Sequence, residues 1–140
     1  MDVTAIGAVT RYFRAIDDFN LDELMDCFAA EAEYAHPLLK APARGRDELR
    51  RFFEARGRQE VRHVVTQYGA VTDGGPEPTY FAECLVQGTV EGVLSRPQGW
   101  GSFVVLFQVD GDGRIARYTP YLPPEGARPM HDVALRAIQP

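Results

Sequence analysis

The feature that most constrains this chain is a change of hydrophobic period near Gly57. Before it, apolar residues recur every three or four positions, as on one face of a helix; after it they alternate, as along a strand. Ile6, Val9, Phe13 and Ile16 mark a first helix over 4–18. Asn20 is an N-cap for a shorter second helix whose face carries Leu21, Leu24, Met25 and Phe28, with Asp22 and Glu23 favouring the dipole in its first turn. Residues 32–35 read as extended, Pro37 biases His36 away from α, and Pro42 keeps the next stretch in a loop. Leu49, Phe52 and Phe53 give a third helix over 46–56, which Gly57 ends.

Beyond Gly57 strands are expected over 61–72, 79–94, 100–109 and 114–122, joined at 73–78, 95–99 and 110–113, where Asp-Gly pairs signal a tight hairpin. One face of the second strand carries Tyr80, Ala82, Cys84, Val86, Val90 and Leu94. The other mixes Glu83, Gln87, Thr89 and Glu91 with Phe81, Leu85 and Val93. Such alternation suits a strongly curved sheet with a drier and a wetter side, and Gly88 and Gly92 are the expected bending points. A last segment, 129–138, places Met130, Val133, Ala134, Ala137 and Ile138 on one side of a helix that could cap a pocket or pack on a partner. Three helices followed by a helix-free meander, without repeats or a linker, indicate a single α+β domain over residues 1–140.

Composition excludes several function classes. The formal net charge is −5, and the densest basic run, 44–62, is broken by Asp47, Glu48, Glu54 and Glu60, which disfavours a nucleic-acid face. No apolar run approaches the length of a membrane span, and the N-terminus lacks the features of a signal peptide, so a cytoplasmic protein with no membrane partner is expected. Cys27 and Cys84 are too few and too far apart for a metal or redox motif and read as reduced, buried thiols. No glycine-rich phosphate loop, metal-ligand set or nucleophile elbow occurs, which leaves cofactor-free chemistry.

The order of elements, and above all the run EYAHPLLKAPARGRDELRRFFEA, resembles the nuclear transport factor 2-like superfamily, most closely its ketosteroid isomerase-like and SnoaL-like polyketide cyclase branches. The segments TRYFRAIDDFNLDELMDCFA and DGDGRIARYTPYL carry the likeness at either end. The resemblance implies a cystatin-like fold: a curved antiparallel sheet forming a cone, with three N-terminal helices enclosing an apolar pocket. Tyr12 matches the family's tyrosine that donates to a substrate carbonyl. His36 stands where the family has a proton-shuttling aspartate, and Val105 where it has a protonated aspartate that donates to the oxyanion.

Proton abstraction beside a carbonyl needs a base near the carbon acid and a donor at the oxygen that gains charge. The resemblance makes His36 the candidate base and Tyr12 the donor, for an isomerase, cyclase or dehydratase acting on a small hydrophobic carbonyl compound, steroid-like or polyketide. His63 alternates in phase with Val65 and is expected to face the cavity, where it or Trp100 positions the substrate. Phe103, Val105 and Tyr118 are candidate substrate-binding residues, with Phe107 and Tyr121 as further aromatic lining. Asp17 and Asp18 read as a solvated helix end, and Glu83 with Arg117 is the one carboxylate–arginine pair available for epoxide hydrolysis. Loss of both family carboxyls favours a rival reading, a non-catalytic module that binds an apolar small molecule or dimerises. A homodimer through the sheet's open face is expected either way.

Overall fold

The computed structural model describes residues 3–36, 39–58, 61–71, 77–90, 93–94 and 102–121. Trp100, the connection at 95–99 and the expected helix over 129–138 lie outside these residues. Helix α1 (Val3–Asp18) buries Ala5, Val9, Tyr12, Phe13 and Ile16, the stripe that its periodicity sets. The chain leaves α1 through Phe19 at φ 50, and the Asn20 side chain accepts from the Glu23 amide at 3.1 Å, which starts α2 (Leu21–Asp26). Phe28 does not continue that helix. Cys27 is its C-cap, and Phe28 begins β1 (Phe28–Tyr34) opposite Ile115, because the Ile115 amide donates to the Cys27 carbonyl at 2.8 Å and draws the chain into a sheet. A short β2 (Ala43–Arg44) pairs with β1 where a loop is expected from Pro42.

Helix α3 (Gly45–Arg56) buries Leu49, Phe52 and Phe53 and ends at Gly57, whose φ of 72 suits glycine and whose amide reaches the Phe53 carbonyl at 3.0 Å. The Arg46 guanidinium donates to the Phe28 carbonyl at 2.7 Å and ties α3 to β1. The remaining strands are β3 (Val61–Val71), β4 (Thr79–Val90), β5 (Val93–Leu94), β6 (Phe103–Val109) and β7 (Ile115–Tyr121). They form an open curved sheet in the order β2-β1-β7-β6-β4-β3, with β5 paired to β4. Neighbours are antiparallel except β1 and β7, which run parallel and make the sheet mixed.

Two further departures from the sequence reading are local. The stretch expected as one strand to residue 94 reverses: Val90 pairs with Val93, so β5 folds back on the end of β4. The register of β3 shifts between Val65 and Gln67, placing a bulge near Thr66, a bend that no glycine marks. Alternation survives elsewhere. Tyr80, Ala82, Cys84 and Val86 of β4 lie buried on the inner face with Phe103, Val105 and Phe107 of β6 and Tyr118 of β7. Phe28, Phe53 and Phe107 are almost wholly buried, each contributing about 1.5–3 kcal/mol relative to an exposed ring. This one core joins all three helices to the sheet. No helix among the described residues is long and apolar enough to cross a membrane.

Candidate active site

The candidate residues divide between two places. Tyr12 on α1, Tyr34 on β1 and Tyr118 on β7 meet at the centre of the core, where the Tyr12 and Tyr34 hydroxyls lie 3.1 Å apart. The Tyr118 ring stacks on Tyr34 at 4.9 Å and tilts against Tyr12 at 4.8 Å. Burial pushes all three hydroxyls up, Tyr34 to about 12 and the other two well above the ordinary phenol value, so each is neutral near neutral pH. His36 follows β1 and lies partly exposed, its ring parallel to Tyr34 at 6.2 Å and near Phe52 at 5.5 Å. Phe103 and Val105 are buried on β6, and Val105 sits between Ala82 and Pro120 with an apolar side chain where the resemblance implies a donor.

His63 belongs to the second place. Beside α1 runs β3, the edge strand of the sheet, and between them opens a cavity of about 520 Å³. Helix α1 lines it with Ile6, Thr10, Phe13, Arg14, Asp17 and Asp18. Strand β3 lines it with Arg62, His63, Val64, Val65 and Tyr68, contributed from both strand faces because an edge has no neighbour to cover it.

Asp17 is not a solvated helix end. Its Oδ2 accepts the His63 backbone amide at 2.8 Å and its Oδ1 meets His63 Nδ1 at 2.5 Å. The carboxylate therefore satisfies an amide that the sheet edge leaves free and holds the ring at the same time. The His63 side chain is 4% exposed and that of Asp17 10%. Phe13 stacks on the imidazole at 5.0 Å and Phe103 meets it edge-on at 6.0 Å, which locks the ring plane. Nδ1 being taken by the carboxylate, Nε2 is the ring's other nitrogen, and it has no hydrogen-bond partner among the described residues. An imidazole oriented by a carboxylate beside a ligand-sized cavity is of the type that takes and returns a proton.

Sequence reading finds His63 by its phase with Val65 but passes over Asp17. The available signal is the i, i+4 ridge Val9–Phe13–Asp17, which sets an acid in line with the buried stripe rather than on the wet face. The candidate pair Glu83 and Arg117 does not form: Glu83 accepts from the Thr66 hydroxyl at 2.7 Å, while Arg117 lies 3.8 Å from Glu33. Among the described residues no three His, Cys, Asp or Glu side chains gather in a way that could hold a metal.

Comparison with known proteins agrees with the fold. A protein of unknown function from Mycobacterium tuberculosis, Rv3472 carrying D26N, superposes with a TM-score of 0.74 at 18% identity, over 97% of this chain and 92% of that one. The epoxide hydrolase/cyclase-like enzyme SalBIII, of pyran ring formation in salinomycin, gives 0.66 at 20% identity over 86% and 91%. RV0760c from Mycobacterium tuberculosis, in complex with estradiol-17beta-hemisuccinate, gives 0.66 at 10% identity over 89% and 97%. No curated protein matches the sequence. The sequence profile of the SnoaL-like domain matches residues 9–118, which is most of the chain, and the protein belongs to the SnoaL-like family.

Proposed function

We propose that the chain is a cofactor-independent isomerase, cyclase or dehydratase that moves a proton on a small hydrophobic carbonyl compound, steroid-like or polyketide. The observation that carries this reading is the part-buried Asp17–His63 pair beside the α1–β3 cavity. His63 Nε2 removes a proton from the carbon beside the carbonyl; the C–H bond breaks, an N–H bond forms, and the electron pair passes to the carbonyl oxygen as an enolate. Asp17 stabilises the imidazolium so formed. The proton then returns to another carbon in an isomerisation or leaves with a hydroxyl in a dehydration. Apolar walls from Ile6, Phe13 and Val65 suit a greasy substrate, and the Thr10 and Tyr68 hydroxyls are donors within the same cavity. The steroid ester bound by RV0760c and the cyclase chemistry of SalBIII support ligands of this kind in the fold.

A second reading keeps His36 as base and Tyr12 as carbonyl donor, with His63, Phe103, Val105 and Tyr118 around the substrate. One observation favours it: His36 stacks on Tyr34, whose hydroxyl bonds Tyr12, so a single side chain links the two. Solvent-deuterium exchange at the α-carbon of 2-tetralone and of 5-androstene-3,17-dione, followed by NMR, separates the readings. His63→Gln should lower exchange by about a hundredfold or more, Asp17→Asn should lower it less, and His36→Gln should leave it unchanged. The opposite ranking establishes the second reading. Binding of both ketones without exchange by the native protein establishes the rival, a non-catalytic ligand-binding module.

A further inference from the structure

Two cations stand at the same cavity from its two sides, Arg14 on α1 and Arg62 on β3. Both are exposed, and neither makes a hydrogen bond or ion pair among the described residues. Five other arginines among the described residues are ion-paired. Arg11 meets Glu23 and Asp26, Arg50 meets Asp22, Arg114 meets Asp26, and Arg117 and Arg44 share Glu33. In a chain with a net charge of −5, carboxylates are in excess, so two unpaired guanidinium groups flanking one cavity are a local exception. Two carboxylates, Asp17 and Asp18, line the same cavity, but neither forms an ion pair with these arginines. Both oxygens of Asp17 are engaged by His63, and Asp18, though at the same rim, lies within 4.0 Å of neither arginine.

We infer that the ligand of this cavity is an amphipathic monoanion, with a flat apolar body against Ile6 and Val65 and one anionic head between Arg14 and Arg62. The inference rests on the α1–β3 cavity being the ligand site, as proposed above, and names the substrate class. Guanidinium groups suit the task, since each presents a planar fork of donors to a carboxylate or sulfonate. At an exposed rim each such contact is weak and sensitive to salt. The head group therefore selects and orients the ligand, while the apolar walls supply most of the affinity. Fixing the head at the mouth also limits which carbon of the body reaches His63.

The test uses two fluorescent probes of nearly the same shape, 1-anilinonaphthalene-8-sulfonate and uncharged N-phenyl-1-naphthylamine. The native protein should bind the sulfonate about fivefold to tenfold more tightly at low salt, from two contacts of the exposed type, and added salt should erase the difference. The double variant Arg14→Gln/Arg62→Gln should lose the preference while its affinity for the neutral probe stays unchanged. Equal affinities in the native protein, or a preference that survives in the double variant, overturn the inference. Both probes should also shift the His63 ring resonances in NMR spectra, and binding without that shift removes the cavity as the site. Such a failure is distinguishable from failure of the catalytic reading, because His63→Gln can retain full deuterium exchange while the sulfonate preference stands.

Discussion

At the scale of single residues, the tyrosine cluster shows how burial rather than identity decides chemistry. Burial pushes the Tyr34 hydroxyl up from an ordinary 10.0 to about 12, with the hydrogen bond between it and Tyr12 acting the other way. Because the raised group is an acid that is neutral when protonated, its contribution to stability is fully present below about pH 10 and is lost as pH rises toward about 12. Tyr12 and Tyr118 shift in the same direction and add to the loss. The urea midpoint should therefore hold to pH 9 and fall steeply above pH 10, and Tyr34→Phe should flatten the alkaline limb. A midpoint insensitive to pH up to 11 would show that these hydroxyls reach water. The same contrast governs the histidines: sequence distinguishes His36 and His63 only by family position and phase, whereas packing gives His63 a carboxylate and leaves His36 partly exposed.

Among the elements, helices were legible because their signals are local. The stripes of α1 and α3, the Asn20 cap and the Gly57 stop all depend on residues within a few positions of one another. Replacing Asn20 with Ala should cost about 1 kcal/mol, read as a lower urea midpoint with an unchanged slope, since the Glu23 amide loses its acceptor. Strands were legible as alternation but not as partners. Gly69 pairs across the sheet with Phe81, and a Cβ at Gly69 would lie 2.7 Å from the Phe81 ring, so the ring covers the glycine. Gly69→Ala should destabilise the native protein, against the usual gain of about 0.5–1 kcal/mol, and should stabilise a Phe81→Ala background. A gain in both backgrounds would show that the ring moves aside without cost.

For the whole molecule, the outer face of the sheet presents Tyr121 at 56% exposure beside partly exposed Phe81, Leu85 and Leu106. We expect this face to be covered by a second copy, as apolar area on an open sheet favours. Light scattering at micromolar concentration should give a homodimer, and Leu106→Glu with Tyr121→Glu should give a folded monomer; a native monomer would refute the assignment. By itself the sequence determined the α+β class, the helix faces and the inner side of each strand, because hydrophobic period and capping act over short stretches of chain. Only the tertiary structure decided that β1 runs parallel to β7, that β3 lies at the edge beside α1, and that Asp17 reaches His63 across 46 positions of chain. Those outcomes depend on which surfaces meet once the sheet curves, and long-range contact leaves no period in the sequence to be read.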